Sequence, residues 1–117
     1  MDEQEGSNIC FQWRNDVLRP RFAQCEGYEG KGHDIKLIIE GSATKQIKDL
    51  SDPGKPFANL YKEIKDGKLI DCVCEACSTA TGSLDSAKEQ GLPICNEMSG
   101  HPSISRYRDE GYEVIVF

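Results

Sequence analysis

The sequence predicts an α/β domain, a three-layer α/β/α sandwich around a mostly parallel sheet of about five strands. Three observations predict it. Short apolar, β-favouring runs recur along the chain, segments of helical periodicity stand between them, and the joints are rich in Gly, Pro, Asp and Ser. Such alternation gives right-handed crossovers and parallel strands covered on both faces. A chain of 117 residues fits one domain with a core that needs no staples. The expected division is a flexible head over residues 1–6 and a single domain over 7–117.

Residues 8–13 and 35–39 read as buried strands. Between them Leu18, Phe22 and Cys25 fall at i, i+4 and i+7, the apolar face of a helix that ends in a glycine-rich stretch. Pro20 fits only the first turn of that helix. After Gly41, Ser42 is an expected N-cap for a helix carrying Ala43, Ile47 and Leu50. Pro56 suits the start of the next helix, with Phe57, Leu60, Tyr61 and Ile64 on its buried side. Residues 69–73 follow as a strand, 75–81 and 84–90 as helices, 92–95 as a short strand, 102–110 as a helix and 112–117 as the last strand. In such sheets, ligands and chemistry collect beyond the carboxyl ends of the strands, here near residues 13–16, 40–42, 72–77 and 95–100. Trp13 and Arg14 fall at such an end, where they could line a pocket mouth, the alternative for Trp13 being a core position.

Fourteen Lys and Arg against 20 Asp and Glu leave a net charge of −6. This balance opposes a phosphate-tracking surface, so nucleic acid is not an expected partner. No window reaches the length of a membrane span, and Met1-Asp2-Glu3-Gln4-Glu5 is acidic where a secretion signal is basic and then apolar. The expectation is a cytoplasmic chain with no membrane partner. There is no phosphate-loop motif and no dinucleotide fingerprint.

In a reducing cytosol the six cysteines, at 10, 25, 72, 74, 77 and 95, are read as packed, metal-binding or reactive thiols. Cys10, Cys25 and Cys95 sit in apolar surroundings that suit packing. Cys72 and Cys74 are two apart and share a strand face, and Cys77 follows Cys74 by one helical turn. Where a strand gives way to a helix, unpaired N–H groups stabilise a thiolate. The Cys74–Cys77 spacing also permits a redox pair, while the carboxylate of Glu75 opposes a second anion. Two other readings stay open. A tetrahedral zinc could take Cys72, Cys74 and Cys77 with Cys95 or His101, or all of these thiols could be packed.

The stretch Val73-Cys74-Glu75-Ala76-Cys77-Ser78-Thr79-Ala80-Thr81-Gly82 resembles the cysteine motif of the DsrE-like (DsrE/DsrF-like) sulfur-relay proteins, in which the cysteine precedes a glycine by eight positions. The glycine turn, apolar strand and Glu-Gly end of residues 32–41 look like the family's second-strand motif. Residues 98–103 and 111–115 point to a cysteine-rich branch. The resemblance implies a parallel-sheet sandwich, a homo-oligomer (trimer or hexamer), and a cysteine that receives sulfur as a persulfide and passes it on. Only Cys74 inherits that role by position. Cys72 and Cys77 are additions, and Ser78-Thr79-Ala80-Thr81 stands where relatives often carry arginines.

The function expected is a persulfide carrier or thiol-redox protein. Cys74 takes the sulfur, Cys77 or Cys72 resolves or shelters it, and Glu40 and His101 support the proton chemistry. Glu40 has a rival role in capping the next helix, and His101 in capping the helix after Pro102. No cofactor is required, and the partners are sulfur donor and acceptor proteins. The rivals are a non-catalytic oligomeric partner-binding module and a zinc or iron protein whose alternative ligands are Cys72, Cys74, Cys77 and Cys95.

Overall fold

The computed structural model describes residues 8–14 and 22–117. The expected head, Leu18 and Pro20 lie outside the described residues. Strands β1 (Asn8–Trp13), β2 (Asp34–Ile39), β3 (Ile70–Cys74), β4 (Ile94–Cys95) and β5 (Tyr112–Val116) form one sheet in the order β4-β3-β2-β1-β5, and every pairing is parallel. The α/β class read from the sequence is the one the chain adopts. Parallel strands are buried on both faces, which is why they read as nearly unbroken apolar runs. β1 is buried from Ile9 through Trp13.

Each step from β1 to β4 moves one position along the sheet in the same direction. Right-handed crossovers therefore put α1 (Phe22–Glu29), α2 (Ile47–Leu50), α3 (Ala58–Asp66) and α5 (Leu84–Glu89) on one face. There Ile9, Phe11, Trp13, Leu37, Ile39 and Val73 pack against residues that include Phe22, Cys25, Ile47 and Ile64. Each fully buried side chain of this kind contributes roughly 1.5–3 kcal/mol of transfer free energy. The connection from β4 to β5 runs back across the sheet and places α6 (Ile104–Asp109) on the opposite face. Cys10, Ile38, Cys72 and Cys95 lie there with Tyr107 and Tyr112. The register slips between Leu37 and Ile38, paired with Ile70 and Cys72, so Asp71 is an extra residue in β3.

Several local expectations are corrected. Ser42 does not cap an α-helix, because residues Gly41–Gln46 form a 3-10 turn ahead of the short α2, and Glu40 at its start makes no side-chain capping bond. Leu60 is 36% exposed rather than buried, since the inner residues of α3 are Tyr61 and Ile64. Pro56 and Pro102 precede helices that begin two residues later, at Ala58 and Ile104. Trp13 is a core residue with no exposure, while Arg14 is exposed. Among the described residues no helix is long and apolar enough to cross a membrane.

Candidate functional site

Cys74 ends β3 and immediately precedes α4 (Glu75–Ala80). Its backbone is extended, with φ −63° and ψ 119°, and its sulfur accepts a hydrogen bond from the Cys77 N–H at 3.5 Å. The thiol thus takes the place of a capping side chain at a helix start. Ser78 donates its hydroxyl hydrogen bond to the Cys74 carbonyl at 2.8 Å. α4 is also tied to the 3-10 turn, because Thr44 Oγ1 lies 2.8 Å from Thr81 Oγ1 and 3.3 Å from the Cys77 carbonyl oxygen.

The second half of the site arrives from the β4–α6 connection. Met98 and His101 exchange backbone hydrogen bonds of 2.8 and 2.9 Å across a two-residue turn. Ser99 (φ 51°) and Gly100 (φ 91°) both adopt left-handed conformations there, the requirement of a type I′ turn. A Cβ on Gly100 would stand 3.1 Å from that of Ala76, and Ala76 donates its N–H to the Gly100 carbonyl at 2.9 Å. The turn is therefore docked on the first turn of α4. Arg106 holds the same connection from α6 through a two-pronged ion pair with Glu97, at 2.6 and 2.9 Å.

The result is a thiol–imidazole centre. His101 Nδ1 lies 3.1 Å from Cys74 Sγ and 3.9 Å from Cys77 Sγ. Cys74 is fully buried, Cys77 half-buried and His101 exposed. Burial pushes the Cys74 thiol up to about 12, the Cys77 N–H pulls the other way, and the Cys77 thiol and the Glu40 charge push it further up. The thiolate stabilisation expected of the helix start is overturned, because desolvation is the larger effect here. A proton leaving Cys74 has an acceptor within hydrogen-bond reach in His101, and an imidazolium beside a thiolate favours the ion pair.

Glu40 is buried in the Gln12 and Arg14 group rather than capping a helix. It accepts a hydrogen bond from Gln12 Nε2 and pairs with Arg14 Nε at 3.8 Å. Gln12, a polar residue within an apolar strand, was the missed signal for this buried carboxylate. Gly41 beside it has φ +60°, and a Cβ there would meet the Arg14 carbonyl oxygen at 3.0 Å, so only glycine lets the two strand ends pass.

Cys72 and Cys95 do not join the centre, because they form a disulfide with Cα atoms 5.5 Å apart. This corrects two expectations: Cys95 is not a free packed thiol, and Cys72 is not free to resolve or bind. Cys10 and Cys25 are packed, free thiols, as expected. The four-cysteine metal set is not assembled. The donor atoms of Cys74, Cys77 and His101 instead lie within 4.8 Å of one another, a spacing that a soft cation could bridge with one position left open. Tyr107, also missed, donates a hydrogen bond to Asp71 and places its hydroxyl 3.5 Å from Cys72 Sγ. A cleft of about 540 Å³ lined by residues such as Lys68, Ile70, Gly91 and Pro93 opens at the amino ends of β3 and β4, away from the thiols. Cys77 and His101 are the members of the centre with exposure to the surface.

Fold and site together define an α/β protein with a paired-thiol and imidazole centre. The chain is 34% identical over 85 residues to an uncharacterized protein of Methanocaldococcus jannaschii, covering 73% of this chain and 67% of that protein. It belongs to the same family as that protein. An uncharacterized protein of Archaeoglobus fulgidus is 53% identical over 36 residues, 31% of this chain and 97% of that protein. No protein-family model matches the chain, and no solved structure matches it.

Proposed function

We propose that the protein is a DsrE-like carrier of sulfane sulfur whose carrier residue is Cys74. The observation that carries this reading is the 3.1 Å contact between Cys74 Sγ and His101 Nδ1 at a helix start. His101 takes the thiol proton, and the Cys74 thiolate attacks the outer sulfur of a donor persulfide. The donor leaves as a thiolate and recovers the proton, so a thiol and a persulfide exchange one sulfur with no net oxidation. An acceptor thiolate repeats the step on loaded Cys74. Alternatively Cys77 attacks the inner sulfur, which forms a Cys74–Cys77 disulfide and releases hydrogen sulfide. Donor and acceptor are cytoplasmic proteins in this reading, and the carrier is a homo-oligomer, for which the half-exposed Val116 on edge strand β5 offers a contact.

The test is mass spectrometry of the full chain after incubation with a low-molecular-weight persulfide. The expected product is one sulfur heavier, mapped to Cys74 and absent from Cys74→Ser. Full loading without Cys74 would move the carrier role to Cys77, and no loading in the parent protein would overturn the proposal. Metal analysis of the same preparation, with metal in ratio to protein and loading blocked, would also overturn it.

A further inference from the structure

The disulfide and the free thiol pair lie along one short path. Cys72 and Cys74 stand two apart on β3 and so share a face. Cys95 is the register partner of Cys74 across the β3–β4 ladder and is already bonded to Cys72. Neighbouring strands run about 4.8 Å apart, and disulfides span Cα separations of roughly 4.4–6.8 Å. Cys95 is thus placed to bond either Cys72 or Cys74. Of the four cysteines on this path, Cys77 alone is more than marginally accessible. Cys77 is half-buried, Cys74 is fully buried, and the disulfide sulfurs belong to residues only 4% and 6% exposed.

We propose that Cys74 is an exchange point through which the buried Cys72–Cys95 disulfide and the outer Cys74–Cys77 pair trade one two-electron oxidation. In the first step the Cys74 thiolate, its proton on His101, attacks Cys95 Sγ. The Cys74–Cys95 bond forms, the Cys72–Cys95 bond breaks, and Cys72 leaves as a thiolate beside the Tyr107 hydroxyl and is reprotonated. In the second step the Cys77 thiolate attacks Cys74 Sγ, and Cys95 leaves and takes up the proton that Cys77 lost. The Cys74–Cys77 dithiol has been oxidised and the Cys72–Cys95 disulfide reduced, with no external oxidant. Both directions are open. The chain can hold an oxidation inside, out of reach of bulky partners, and present it at the surface. The inference shares with the proposed function the use of Cys74 and Cys77 as reactive thiols and of His101 as proton acceptor.

The test is peptide mapping of the oxidised full chain, held at mildly alkaline pH, quenched in acid and alkylated. The parent protein should show Cys74–Cys77 beside Cys72–Cys95. Cys77→Ser should accumulate Cys74–Cys95 with Cys72 alkylated, and Cys74→Ser should retain Cys72–Cys95 alone. A protein dithiol of the thioredoxin class should reduce Cys74→Ser at least about tenfold more slowly than the parent, while a small phosphine in denaturant reduces both equally. Cys72–Cys95 as the sole bond in the parent and in Cys77→Ser would overturn the proposal, whatever happens to Cys74→Ser. So would finding Cys72 and Cys95 both free in the oxidised chain with no other bond formed. Sulfur loading is read separately, so either proposal can fail while the other stands.

Discussion

Cys74 Sγ and His101 Nδ1 meet at 3.1 Å although 27 residues separate them in the chain. The contact depends on a turn that is docked on α4, and it gives a buried thiol an exposed base. Replacing His101 by Ala should lower the rate of sulfur loading on the order of 100-fold, the usual scale for a positioned proton acceptor. Stability should change by less than about 0.5 kcal/mol, because the side chain is exposed. Timed loading and denaturant unfolding check the two halves, and an unchanged rate would remove His101 from the chemistry.

The thiols should label in an order set by access and burial. Cys77 should alkylate first, Cys74 later, and Cys10 and Cys25 last, since burial pushes all three of the latter thiols up to about 12 and among them Cys74 has the His101 imidazole at 3.1 Å to take its proton. Mass-spectrometric mapping over time checks the order. Faster labelling of Cys74 than of Cys77 at neutral pH would mean that the imidazole outweighs desolvation.

Alkaline pH should weaken the fold through Cys10 and Cys25. Their folded values stand near 12 against the ordinary 9.0. Below about 9 both states hold the proton and stability is intact. Above it the unfolded chain releases protons that the folded chain retains, so stability falls toward pH 12 by up to about 1.4 kcal/mol per pH unit for each thiol. Urea midpoints measured across this window should fall, and Cys25→Ala should flatten the slope.

The turn and the tie to the 3-10 segment should be sensitive to small changes. Gly100→Ala forces a side chain into a left-handed position 3.1 Å from the Ala76 Cβ, at a cost of about 1–3 kcal/mol. Thr44→Val removes the hydroxyl that donates to the Gly41 carbonyl and meets Thr81 Oγ1, while Thr81 and the Cys77 carbonyl keep each other as partners, at a cost of about 0.5–1.5 kcal/mol. Thermal unfolding measures both. Gly100→Ala should also slow sulfur loading, because it moves His101.

Most of the fold was legible because parallel strands announce themselves. The apolar runs of β1 and β2 carry their own period, and the helical stripes at Phe22 and Cys25 or Tyr61 and Ile64 are local. Cys74 at a strand end was legible for the same reason. The Cys72–Cys95 bond was not, since it depends on which strand β4 joins and in what register. The partners of Glu40 were hidden too, because Gln12 becomes its neighbour only once β1 and β2 pair. Desolvation of Cys74 depends on the turn that folds over it, from residues far along the chain.

The disulfide closes a covalent ring. It joins positions 23 residues apart and encloses Cys74, Cys77 and both helices α4 and α5, while His101 stays outside. A ring of that size restricts the unfolded chain by about 3 kcal/mol in the loop-entropy account. A protease nick between α4 and α5 would leave one molecule until it is reduced and two fragments afterwards. If the bond migrates to Cys74–Cys77 the ring shrinks to a single helical turn, and most of that restraint is lost. Melting temperature would then report where the oxidation resides, so that the same two electrons set both the reactivity of the surface thiols and the cohesion of the sheet edge.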